Sequence, residues 1–235
     1  MKITSMDLIC MEPTRQLSHP VVCRINTDEG IYGLGESGVA IVAGGIASAE
    51  LMKDYAKLII GMNPLYNDLI WEKLYRSGCW TLGNGGVIMA ALSAIDCALW
   101  DIKGKYYNAP VYELLGGKHR DKLRAYASQL QFGWHIQEFG CLGTVAEYVD
   151  AAQKAMSDGY DAIKVNFITN TPEGKRLPYA RAKHYLTHDI LEYAEERLAA
   201  VRETVGPNVD IICENHAMTD VTTAVQFAEM AYPYD

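Results

Sequence analysis

No two cysteines in this sequence are spaced to act as a pair. Cys10, Cys23, Cys79, Cys97, Cys141 and Cys213 are scattered along 235 residues without a CxxC. That spacing argues against a zinc ribbon or a thioredoxin-type redox motif and fits reduced, mostly buried thiols. No apolar run reaches the ~18 residues that a membrane span needs. Residues 1–11 are short, alternating and interrupted by Asp7, so no secretory leader is expected and the expected location is the cytoplasm. Positive charge is also short, with 21 Lys and Arg against 29 Asp and Glu, a net charge of −8. Neither nucleic acid nor an anionic membrane is an expected partner of such a chain. An acidic substrate stays open, because one lysine or one metal ion can hold an anion locally.

What is present is ordinary for a globular protein: 49% hydrophobic and 21% charged residues, in a chain long enough for one or two domains. Residues 2–10, 21–27 and 31–36 read as strands, the last two joined by the turn signal Asp28-Glu29-Gly30. Residues 38–46 are small and glycine-rich and read as a mobile loop. Helical patterning follows over 48–60, 64–75 and 87–105, with a glycine-rich interruption at 77–86. In the third helix Ala90, Ala91, Ala94 and Ala98 suit close packing. Pro110 restarts a short helix that Gly116-Gly117 ends. Residues 1–117 therefore read as an α+β domain.

From residue 118 the pattern becomes β-α-β-α-β-α. Strands are expected at 124–130, 162–167 and 209–213, and helices at 145–157, 189–205 and 219–230. Apolar strands alternating with helices imply a parallel sheet covered by helices, an α/β arrangement. Three such units are too few to close a barrel, which needs eight strands, so the chain is expected to be cut short after the third.

Two tripeptides carry the chemistry. Lys164-Val165-Asn166 and Glu214-Asn215-His216 each end a predicted strand. Alternate strand residues share a face, so Lys164 goes with Asn166 and Glu214 with His216. On neighbouring strands of one parallel barrel they would meet at its carboxyl-terminal mouth, where barrel enzymes hold their active sites. Read alone, Lys164 and Glu214 could equally be a strand-end lysine and a surface acid. Gln129 and Gln131 end the first expected barrel strand on one face and are candidates to line the pocket, a packing role being equally open. Trp80, Trp134 and His135 are candidates to reach substrate from loops.

Other features have plainer readings. Gly33-Leu34-Gly35-Glu36-Ser37-Gly38 matches GxGxxG, but it follows a hairpin, not a parallel strand leading into a helix; a flexible loop is the better account. His184 and His188 have the i,i+4 spacing of some zinc ligands, yet lack a Glu or Cys in support and read as surface residues around a Thr187 helix cap. Glu192, Glu195 and Glu196 with Arg197 and Arg202 read as a solvated helix face.

Residues 89–105 (MAALSAIDCALWDIKGK) followed by 110–117 (PVYELLGG) resemble the mandelate racemase/muconate lactonizing enzyme branch of the enolase superfamily, and the resemblance runs along essentially the whole chain. It implies a capping domain at 1–117 and the first part of a (β/α)7β TIM-like barrel at 118–235. Residues 159–166 (GYDAIKVN) resemble the second barrel strand, where family members carry Lys-x-Lys. Lys164 fills the first lysine position. Asn166 replaces the second, often the catalytic base, which disfavours a lysine-based racemase or cycloisomerase. Residues 206–216 (GPNVDIICENH) resemble the third strand, with Glu214 at the position of a metal-ligating Asp. His216 lies where the family's galactonate- and mannonate-type dehydratases keep the acid for the departing hydroxyl.

The resemblance thus implies an Mg2+-dependent sugar-acid dehydratase, a hydro-lyase. Glu214 would be a metal ligand, Lys164 would hold the substrate carboxylate and His216 would be the acid. Beside them, Asn166, Gln129 and Gln131 are the candidates to bind substrate. A homo-oligomer is the expected assembly. The remaining ligands and the base would come from later strands, so residues 1–235 alone are expected to lack a complete site. A racemase or epimerase on the same scaffold and an inactive truncated homologue are the alternatives.

Overall fold

The computed structural model describes residues 1–12, 19–39, 44–77, 85–134 and 140–235. These form two compact units, residues 1–121 and residues 122–235.

In the first unit, strands β1 (Ile3–Cys10), β2 (Val21–Thr27) and β3 (Tyr32–Glu36) form an antiparallel sheet in the order β1-β2-β3. β2 alternates strictly: Val21, Cys23 and Ile25 are fully buried, and the residues between them are not. That buried face meets helices α1 (Gly44–Ile59), α2 (Asn67–Arg76) and α3 (Gly86–Tyr107), and a short helix, α4 (Val111–Leu114), follows. Burial of the Cys23 thiol pushes its pKa up to about 12, which makes it an inert apolar group.

The glycine motif of the first unit is not a flexible loop. Gly33 and Gly35 are residues of β3, and α3 lies directly on them. A methyl group built on Gly33 would come 1.9 Å from the Ala98 carbonyl oxygen, and one on Gly35 would come 1.9 Å from that of Ala94. The two glycines and the small α3 residues facing them therefore serve close approach of backbone to backbone. The expected loop at 38–46 is also partly helix, since α1 begins at Gly44; residues 40–43 lie outside the described residues.

The second unit contains helix α5 (Val145–Ser157), strand β4 (Ala162–Val165), helix α6 (His188–Val205), strand β5 (Asp210–Cys213) and helix α7 (Val221–Ala231). β4 and β5 pair in parallel, Lys164 opposite Ile212, with α6 as the crossover. Thr144 caps α5 and Asp220 caps α7, each in a reciprocal capping box. No helix among the described residues is long and apolar enough to cross a membrane.

The strand expected at 124–130 shrinks to one parallel bridge, Ala127 to Ile163. Ala127 N donates to Ala162 O at 3.0 Å and Lys164 N to Ala127 O at 2.7 Å, after which the ladder stops. Gln129 ends it by taking a left-handed backbone, φ 65°, and Leu130–Phe132 coil into a 3₁₀ turn. Gln129 and Gln131 are therefore not strand neighbours on a shared face.

The helix at 188–205 also departs from its expected solvated face. Ile190, Tyr193, Ala194, Arg197, Leu198 and Val201 form its buried stripe, and Arg197 is only 1% exposed. Arg202 is half-buried and donates to the carbonyls of Gly206, Val209, Tyr234 and Asp235. Both arginines hold backbone; Glu192, Glu195 and Glu196 carry the solvent side.

Candidate active site

The site is built where β4 and β5 end. In β4, Ile163 and Val165 are buried toward the helices, so Lys164 projects from the other face, partly exposed. One residue beyond β5 the ladder continues, with Glu214 N donating to Val165 O at 3.0 Å. That extra rung turns Glu214 onto the face of Lys164, and the ammonium lies 3.4 Å from Glu214 Oε2. Both side chains are about four-fifths covered, at 21% and 23% exposure, so the pair is screened less than an open surface pair.

Past Glu214 the chain reverses. His216 and Ala217 take consecutive left-handed backbones, φ 46° and 55°, and Met218 N closes the turn on Asn215 O at 2.8 Å. For alanine this is a sparsely populated conformation that the surrounding contacts must hold. The turn swings the imidazole back, and His216 Nδ1 lies 3.2 Å from Glu214 Oε1. One carboxylate thus stands between an ammonium and an imidazole. When Nδ1 carries the proton and donates to Glu214, Nε2 is the nitrogen left for an incoming group.

Tyr126 joins this group although sequence reasoning passed over it. Its ring centroid lies 5.4 Å from the Lys164 ammonium. The signal was one of parity: Tyr126 precedes Ala127, which pairs beside Ile163 on the buried face, so Tyr126 falls on the face of Lys164.

The three amides lie apart from this pairing. Asn166 is fully buried; its Oδ1 accepts from Ile168 N at 3.1 Å, and its own N donates to Gln131 Oε1 at 3.2 Å. Asn166 Nδ2 is buried with no hydrogen-bond partner among the described residues. Gln131 is 4% exposed and is committed to backbone, its carbonyl accepting from Leu142 N and Asn170 Nδ2. Gln129 is exposed at the start of the 3₁₀ turn.

Trp80 and His135 lie outside the described residues. Trp134 points elsewhere than expected: its indole Nε1 donates to Asp158 Oδ2 at 2.7 Å and its ring meets Tyr160 edge-on at 5.5 Å. Both partners precede β4, at the end opposite Glu214. His184 is 91% exposed beside Asp220, and His188 is an exposed first residue of α6. Thr187 occupies the cap position but makes no side-chain cap bond.

Among the described residues no group of three or more His, Cys, Asp or Glu side chains could hold a metal ion. Glu214 alone at this site offers carboxylate oxygens, the donor type that Mg2+ prefers. It fits as one ligand of a hard cation and does not make a site by itself.

Comparison with known proteins adds the family context. Residues 8–116 match the family model "Mandelate racemase / muconate lactonizing enzyme, N-terminal domain", and residues 147–235 match "Enolase C-terminal domain-like". The chain is 32% identical to a D-gluconate dehydratase of Thermoproteus tenax, over 94% of this chain and 40% of that protein. It is also 32% identical to a D-mannonate dehydratase of Novosphingobium aromaticivorans, over 100% of this chain and 57% of that one. A crystal structure of an enolase superfamily member from Salmonella Typhimurium superposes with a TM-score of 0.94 at 46% identity, covering 99% of this chain and 59% of its counterpart. The chain thus spans roughly half the length of the relatives it matches.

Proposed function

Because the chain belongs to the mandelate racemase/muconate lactonizing enzyme branch of the enolase superfamily, with sugar-acid dehydratases among its relatives, we propose that the whole protein dehydrates a sugar acid, an aldonate or aldarate, to a 2-keto-3-deoxy acid. The observation that carries this reading is the Glu214 carboxylate held between Lys164 and His216. The reaction needs a cation for the substrate carboxylate, a charge to offset the dianion formed when the α proton leaves, and an acid for the departing β-hydroxyl.

Lys164 suits the first task as a compact ammonium with three donors. Tyr126 limits its freedom through the ring beneath it. Glu214 would hold Mg2+, which when bound supplies positive charge to the substrate carboxylate as its electron density rises. A base contributed elsewhere in the protein takes the α proton. The electron pair left behind forms the carbon–carbon double bond as the β carbon–oxygen bond breaks. His216, protonated on both ring nitrogens, gives its Nε2 proton to the leaving oxygen and keeps its Nδ1 proton on Glu214; water departs, and the enol tautomerises to the keto acid. Glu214, bonded to Nδ1, holds the imidazole ring in orientation for that transfer. A racemase or epimerase reading lacks such support, since Asn166 stands where the branch keeps its second lysine.

The test is a screen of aldonic and aldaric acids with the full-length protein, read by 2-keto acid formation with and without a chelator. Turnover that is lost on chelation and restored by Mg2+ is the expected result. Turnover unaffected by chelation would remove the metal from the reading. No turnover of any sugar acid would favour a non-enzymatic homologue.

A further inference from the structure

We propose that Arg197, remote from the reacting groups, is a positioning residue that fixes the loop after Lys164 and, through it, the turn that carries His216. The inference rests on the reading of Lys164, Glu214 and His216 as the active site.

Arg197 is among the most deeply buried large side chains of the second unit, at 1% exposure. Its polar partners are neutral carbonyls: Nη1 donates to Phe167 O and to Asn170 O, both at 2.8 Å, and Nη2 donates to Gly143 O. Its flat faces lie between two tyrosines, with the guanidinium carbon 4.7 Å from the Tyr148 ring centroid and 4.5 Å from that of Tyr193. No carboxylate among the described residues pairs with Arg197; burying a guanidinium in that way is costly, and the cost is offset only if the fork and both faces are fully used. Geometry of this kind fixes what it touches.

What it touches is the segment 166–170, which begins two residues after Lys164. The segment is held by three side chains from outside it and by one bond within it. Tyr148 donates its hydroxyl to Asn166 O at 3.3 Å, and burial pushes that phenol up to about 12, so it remains a donor at neutral pH. Gln131 takes the amide of Asn166, Asn166 takes the amide of Ile168, and Arg197 takes the carbonyls of Phe167 and Asn170. Thr169, inside the segment, passes the restraint on: its Oγ1 lies 3.3 Å from Met218 Sδ, both residues being almost fully buried, and Met218 N closes the His216 turn. A chain of direct contacts thus runs from Arg197 through 166–170 to the residues that set His216 against Glu214.

The test uses the full-length protein and two kinds of variant, read by amide hydrogen exchange with mass spectrometry. Arg197→Lys keeps a charge but loses the fork and the planar faces. It should speed exchange at least tenfold in peptides covering 166–170 and 214–218, and leave α3 of the first unit unchanged. Thr169→Val should speed exchange at 214–218 while 166–170 stays protected, and it decides the relay even if the Arg197 variant fails to fold. Uniform acceleration, or no change at 214–218 in either variant, would overturn the proposal.

A second readout separates positioning from bulk stability. The ratio of α-proton exchange to water loss does not depend on how much enzyme is folded. Arg197→Lys should shift it at least tenfold toward exchange, because His216 no longer meets the leaving oxygen. An unchanged ratio with both rates reduced means a purely structural role. If the wild-type protein turns over no sugar acid, the proposed function fails, and the amide-exchange measurement alone decides the clamp.

Discussion

Lys164 and Glu214, far apart in sequence, meet at 3.4 Å across the parallel pair β4–β5. The contact exists because Glu214 continues the ladder one residue past β5 and so lands on the face of Lys164. The Glu214 carboxylate thereby stands at the point where two strands, an ammonium and an imidazole converge. Replacing it should release both neighbours and remove an oxygen ligand at once. Glu214→Gln in the full-length protein is expected to weaken Mg2+ binding at least tenfold, about 1.4 kcal/mol, as measured by calorimetry. Unaltered Mg2+ affinity would take Glu214 out of the ligand set.

His216 is assigned only the second half of the reaction. In His216→Asn the base is intact, so exchange of the α hydrogen in heavy water should persist while water loss falls by roughly 10²–10⁴-fold, the usual contribution of a positioned acid. Proton NMR of the substrate follows the first step, and keto-acid formation follows the second. Loss of exchange with elimination intact would reverse the assignment.

The contact of α3 with β3 gives a stability prediction independent of function. Gly35→Ala forces a methyl to within 1.9 Å of the Ala94 carbonyl oxygen, and backbone on both sides must move. Overpacking of this kind costs about 3 kcal/mol or more, which should lower the melting temperature by roughly 6–12 °C in a protein of this size. Gly38→Ala is the control: no atom of the described residues lies within 4 Å of a methyl there, and its melting temperature should barely change. Equal effects from the two substitutions would contradict the close approach.

Most elements were legible because their patterns repeat. β2 alternates, and α5 is bracketed by a capping box and a terminal glycine, so the boundaries expected at 21–27 and 145–157 match the observed ones. Lys164 and Glu214 were legible because each ends an apolar run, and parallel strands bring such ends together. Other features depend on what faces a residue, which its neighbours in sequence do not encode. The motif at 33–38 read as a loop, although its first residues lie in the strand expected at 31–36, because close packing and flexibility demand the same residue. Arg197 read as solvent-facing because charge outweighed periodicity, although Ile190, Tyr193, Ala194, Leu198 and Val201 mark the buried stripe on which it falls. The strand at 124–130 failed at Gln129, whose left-handed backbone leaves no trace in composition.

The capping box of α5 links the Arg197 clamp to pH. Glu147 Oε2 accepts from Gly143 N at 2.9 Å, from Thr144 N at 2.8 Å and from Thr144 Oγ1 at 2.9 Å. The Thr144 and Gly143 amides, the largest influences, favour the ionised carboxylate and hold its pKa below the ordinary glutamate value, and the Arg197 charge acts in the same direction. A carboxylate whose folded-state pKa is depressed stabilises the fold above its unfolded-state pKa, near ~4.3. That contribution is lost as pH falls through the folded-state value. Glu147→Gln keeps an oxygen acceptor but has no charge to lose. At pH 7 the variant should be less stable by about 0.5–1 kcal/mol, a capping-scale effect reduced by solvent screening at this exposed side chain. Denaturant melts of the second unit's unfolding at successively lower pH should show that gap closing once the wild-type carboxylate is protonated. A gap that stayed constant down to pH 2 would mean that the charge of Glu147 contributes nothing and that the cap acts through hydrogen-bond geometry alone.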